Sequence, residues 1–222
     1  MSQPHPVTLS EDWRIRERWL VVALAVAGAL AFGASYVLPW WNFHMVSPQY
    51  PRGLDLIVSL TGVTGDTAEI NTINHYIGMG HLDDAATLER AYAGWLIAAL
   101  GVFILTLILG AGRRLGWTAG SVAAALPLGF LADTWYWLYR FGHDLDPRAP
   151  VHIPPFTPNL FGAGKVGQFH TVATPSLGFF VAALGVALVA VAVWRRAHVC
   201  RVCPARHTCG RVCPNGLVGV RS

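Results

Sequence analysis

Charge is scarce in this chain. Only 13% of its 222 residues are Asp, Glu, Lys or Arg, while 54% are hydrophobic. Soluble domains of this length carry about twice that charge, so the composition argues against one. Cysteine is equally confined: all four fall between Cys200 and Cys213, and none lies in the long loops between apolar runs. Met45 and Met79 are the only methionines besides Met1. No histidine and a single acid, Asp133, fall inside an apolar run. Nothing resembles a nucleophile–base triad, a phosphate loop or a transporter repeat, which points away from an enzyme. The near absence of polar groups within the runs argues against an autonomous pump or channel.

What the chain does have is four long apolar runs, 19–38, 91–109, 117–138 and 177–194. Each approaches the ~20 residues a helix needs to cross ~30 Å of hydrocarbon. In lipid the backbone must satisfy its own hydrogen bonds, which favours helices. The expected fold is therefore an all-α membrane protein with four transmembrane helices. The first run is followed by Pro39-Trp40-Trp41 rather than a small-residue cleavage site, so it is expected to be retained, with both tryptophans at the membrane interface.

Arginines set the expected orientation. Arg14, Arg16 and Arg18 precede the first run, Arg113 and Arg114 join the second and third, and Arg195, Arg196, Arg201, Arg206, Arg211 and Arg221 follow the fourth without an acid. The positive-inside rule assigns all three stretches to the cytoplasm. The division is then a cytoplasmic tail at 1–18, a membrane domain at 19–194 and a cytoplasmic basic tail at 195–222. External loops 39–91 and 139–176 would form an ordered cap. The first loop has six acids against two arginines, in keeping with an outer position. The net charge of +4 is thus a matter of membrane orientation and implies no nucleic-acid partner. The acid-free tail also suits the anionic inner leaflet.

Loop one gathers His44, Met45, His75, Met79 and His81. Thioether and imidazole together suit copper. If Asn74 to Met79 is helical, His75 and Met79 stand four apart on one face. The competing reading is that these side chains pack a small subdomain. The segment from Leu54 to Leu60 reads as a short strand or extended stretch. In loop two, five prolines between 147 and 158 forbid helix and favour extended backbone, yet the segment is too apolar for a free linker. It is expected to pack against loop one. His143 and His170 flank the third and fourth runs, where they could approach one another, a geometry compatible with haem. Asp133 serves either a proton or cation path or a structural bond.

The tail spaces its cysteines as C-x2-C-x5-C-x3-C over Cys200, Cys203, Cys209 and Cys213. In a reducing compartment such a cluster binds metal more often than it forms disulfides. Zinc or an iron–sulfur cluster fits four thiolates, with His207 as a substitute ligand. Exposed thiols on a basic tail are the alternative.

Two stretches carry a resemblance: Glu69-Ile70-Asn71-Thr72-Ile73-Asn74-His75-Tyr76-Ile77-Gly78-Met79, and Leu145-Asp146-Pro147-Arg148-Ala149-Pro150-Val151-His152-Ile153-Pro154-Pro155-Phe156. Over about residues 36–180 the chain resembles small bacterial integral membrane proteins associated with maturation of nitrous oxide reductase and similar copper enzymes. The cysteine tail is an addition to that pattern. The resemblance implies a bacterial inner-membrane accessory protein in copper-centre assembly or copper trafficking outside the cytoplasm. Its partner would be a copper enzyme or respiratory subunit. An electron-transfer subunit with an iron–sulfur tail and a haem or quinone pocket is a second expectation, and a structural subunit of a larger membrane complex a third.

Overall fold

The computed structural model describes residues 11–110 and 113–202, with the backbone alone described at 11–15, 17, 107–110, 113–116 and 198–202. Helix α1 (Glu11–Ser35) leads into strands β1 (Pro39–Ser47), β2 (Tyr50–Ser59) and β3 (Gly62–Gly65). Helix α2 (Thr67–Ile77) and a 3-10 turn at Leu82–Asp84 precede the long helices α3 (Thr87–Gly110) and α4 (Arg113–His143). Strands β4 (Gly162–Val166) and β5 (Phe169–Pro175) then run into α5 (Leu177–Val202).

The all-α expectation is overturned by a five-stranded antiparallel sheet of order β3-β2-β1-β5-β4. Both long loops build it. Loop one supplies the meander β1-β2-β3, loop two the hairpin β4-β5, and β1 pairs with β5 between them. The physical cause is period-two patterning. Trp41, Phe43 and Met45 on β1, and Leu54, Leu56 and Val58 on β2, all turn to one packed face. Asn42, His44, Asp55 and Ile57 take the opposite face by the same alternation.

The count of four apolar spans is corrected as well. Among the described residues three helices are long and apolar enough to cross a membrane: Arg18–Ser35 in α1, Thr87–Thr106 in α3 and Leu177–Ala197 in α5. Large apolar side chains such as Leu30, Val102 and Leu184 stand uncovered on them, as lipid-facing groups do. The third run is helical throughout as part of α4, but Thr118, Gly120, Ser121, Pro127, Gly129, Asp133 and Thr134 dilute its apolar character.

The chain divides into two compact units. Unit one comprises residues 1–33, 98–125 and 183–222; unit two comprises 34–97 and 126–182. In unit one α1 and α5 cross at small residues. A methyl group on Gly28 would lie 2.8 Å from a Val189 methyl and 3.2 Å from the Gly185 carbonyl. Such close backbone approach is what small residues permit between apolar helices. Phe32, Ala25 and Val189 are fully buried there.

Unit two holds the sheet, α2 and the neighbouring helix segments. Trp40 and Trp41 are 0% exposed, so neither is the interface anchor expected. Trp40 donates its indole N–H to the Ser35 carbonyl at 2.8 Å, and Trp41 donates to the Leu160 carbonyl at 3.0 Å. Their rings pack on Phe130, Phe161 and Phe179 at 4.7–6.1 Å. Buried indoles need such acceptors, and β1 supplies the positions from which both can reach one.

Candidate functional site

Between the packed face of the sheet, α2 and α4 lies an apolar cavity of about 120 Å³ in unit two. The sheet contributes Phe43, Met45, Leu54 and Thr171; α2 contributes Ile70, Ile73 and Asn74; α4 contributes Leu138 and Phe141. Phe156 and Pro158 of the proline-rich loop close another side. Asn74 and Thr171 are the only polar side chains of the lining, and no charged one takes part. Asn74 is itself buried, and its amide nitrogen donates to the Gly80 carbonyl at 3.4 Å.

The end of α2 shapes this cavity. The helix stops at Ile77 because Gly78 takes a left-handed conformation (φ +79°), and Met79 donates its N–H back to the Asn74 carbonyl at 2.8 Å. Asn74 to Met79 is therefore not a continuous helical face. His75 remains on the helix, exposed, while Met79 lies past the cap and lines the cavity. The proline-rich loop docks on the same cap. Asp146 donates to the Gly78 carbonyl at 2.8 Å, Val151 to that of Tyr76 at 3.0 Å, and Phe156 to that of Gly142 at 3.0 Å. A side chain at Gly78 would meet Asp146 backbone within 2.9 Å, so both the turn and the docking demand glycine.

The expected ligands fall into separate places. Met45 and Met79 converge, since both line the cavity. His44 precedes Met45 on β1 and, by strand alternation, faces the other side of the sheet. Its Nδ1–H donates to Asp55 Oδ1 at 2.8 Å, and its ring lies over Gly53, which has a positive φ (+81°) and no Cβ to collide with it. His75 and His81 are exposed. His143 donates from Nδ1 to the Tyr139 carbonyl at 2.9 Å and stacks on the Tyr139 ring at 4.0 Å. His170 is exposed on β5 opposite Val46 of β1 and Lys165 of β4. Asp133 is half-buried on α4, where Glu89 of α3 acts on it as a like charge.

Among the described residues no three His, Cys, Asp or Glu side chains are grouped so as to hold a metal ion. Cys203, His207, Cys209 and Cys213 lie outside the described residues, and of Cys200 the backbone alone is described. The sequence pointed to methionine in loop one, but not to its companions Phe141, Phe156 and Thr171. Of these only Phe156 carries a signal in the sequence, as one of the apolar residues among the prolines of loop two. The chain matches no protein-family model and no curated protein sequence.

Proposed function

We propose that this is a non-enzymatic membrane accessory protein whose sheet-bearing unit lies outside the cytoplasm and holds an apolar guest. The observation that carries the reading is the cavity, lined almost wholly by apolar side chains and by no charged one. Apolar cavities take apolar molecules. One of about 150 Å³ in another protein admits benzene, so a space of about 120 Å³ holds a single small apolar group.

The three apolar helices support a membrane location. Sidedness is argued from charge. Arg16 and Arg18, Arg113 and Arg114, and Arg195 and Arg196 belong to unit one, while nine of the chain's twelve acids belong to unit two. By the positive-inside rule the basic stretches at the start of α1 and after α3, which those two spans place on one side, face the cytoplasm of a bacterial inner membrane.

A second reading, copper handling, is favoured by one observation: both internal methionines reach the same cavity. Two thioethers suit Cu(I), and an apolar wall excludes competing hard cations. The absence of a carboxylate weighs against a buried cation, because charge in an apolar site is costly. Methionine also fills irregular core gaps beside aromatic rings, which Phe43 and Phe141 provide here. A copper enzyme or respiratory subunit is the partner this second reading implies. A zinc or iron–sulfur centre at the tail rests on the cysteine spacing alone.

One experiment separates the readings. The full chain, labelled with methyl-13C methionine and carried in lipid nanodiscs, gives three methyl signals, assigned through Met45→Ile and Met79→Ile. Fluorobenzene should shift both internal signals in a saturable way. Silver(I), a redox-stable stand-in for Cu(I), should leave them in place. A silver shift of both signals with no response to fluorobenzene would replace the first reading by the second.

A further inference from the structure

The guest has to come from somewhere, and unit two lies among exposed apolar helix surfaces. Trp95 is 78% exposed, Leu177 59% and Trp135 52%, all within that unit and all on long helices. Such uncovered aromatic and aliphatic groups belong in lipid or at its interface. A bilayer lipid is therefore the apolar molecule present at the highest local concentration. Leu138 and Phe141 of the cavity wall sit on α4, the helix that also carries Trp135.

Resting on the reading of an apolar guest, we propose that the occupant is the terminal stretch of a hydrocarbon chain from a membrane lipid. The lining fits that chemistry in two ways. It offers no charged side chain, so a polar head cannot enter and only the far end of the chain can. It is also smaller than the cavity that accepts benzene. That size excludes a haem or another multi-ring cofactor and leaves a narrow chain. Met79, unbranched and adaptable, adjusts the wall to a flexible guest in a way a β-branched residue does not. The Gly78 cap that turns Met79 inward also receives the proline-rich loop, so chain binding and docking of that loop are physically linked.

The test is photolabelling in nanodiscs of phosphatidylethanolamine and phosphatidylglycerol, a fraction of whose acyl chains end in a diazirine. Irradiation should label peptides containing Met45 and Met79 as well as the lipid-facing surface of α3 around Trp95 and Leu96. Ile73→Trp, which fills the cavity, should abolish the first labelling and preserve the second. Met79→Phe is the alternative should Ile73→Trp fail to fold, with the α3 labelling as the control for correct insertion. Absence of label at Met45 and Met79 in the wild type overturns the proposal, as does label that survives both substitutions. If fluorobenzene still shifts the two methionine methyls in that case, the apolar-guest reading stands and the lipid is wrong. If neither probe reports, both fall.

Discussion

Two glycines in unit two show how differently single positions weigh. Gly78 has φ +79° and backbone neighbours within 2.9 Å of where a Cβ would stand. A left-handed conformation alone costs a non-glycine residue about 1–2 kcal/mol, and the collision with Asp146 adds to it. Gly78→Ala should therefore lower the thermal midpoint clearly and loosen the Asp146 amide, read as faster hydrogen exchange at Asp146 and Val151. The His44–Asp55 pair makes the opposite case. Both side chains are about half exposed, and such surface pairs contribute under about 1 kcal/mol. His44→Ala should change stability little, whereas Gly53→Ala, which drives a methyl into the His44 ring, should cost more. A His44→Ala, Gly53→Ala double variant should recover part of the loss, leaving the strain of the positive φ. The sequence exposed His44, Met45, His75 and Met79 as chemically notable, but strand alternation and the Gly78 cap decide which of them meet. A glycine after an apolar run signals a helix end only once that run is known to be helical.

At the level of elements, the helices were legible, and of the sheet only the stretch from Leu54 that lies in β2. Apolar runs of membrane-spanning length announce themselves. Strand β1 follows α1 after only Tyr36-Val37-Leu38, and its tryptophans imitate the aromatic belt of a membrane interface. Its partner β5 is 132 residues further on when counted from Asn42 to its register mate Thr174, a one-to-one pairing that composition cannot express. Polar residues scattered through α4 also distinguish it from α1, α3 and α5, a difference that averaging over the run conceals. The α1–α5 crossing gives this scale its prediction. Leucine at Gly28 would meet Val189 and the Gly185 carbonyl, and overpacking of this kind costs about 1–3 kcal/mol. Gly28→Leu should lower the midpoint of unfolding in nanodiscs, and Gly33→Leu, where nothing lies within 4 Å of an added Cβ, should not.

The whole molecule is governed by the partition of charge between its units. Acids concentrate in unit two and basic helix ends in unit one, and the proposed orientation rests on that partition. With the four tail cysteines changed to serine, Lys165→Cys on the exposed edge strand β4 should react with a membrane-impermeant maleimide in intact cells, and Arg114→Cys only after permeabilisation. The reverse pattern would invert the molecule and put the cysteine tail in an oxidising compartment, where disulfides rather than metal become the expected fate of clustered thiols. The tail's metal content is thus a second, independent readout of the same orientation. Protein purified without oxygen from a cytoplasmic-tail orientation should carry about one zinc or one cluster per chain, as four thiolates complete a single centre. Cys200→Ser with Cys203→Ser should abolish it while the methionine methyl signals of unit two stay unchanged. Loss of metal together with movement of those signals would instead mean that the tail and the cavity respond as one system, against the independence that their separation into different units implies.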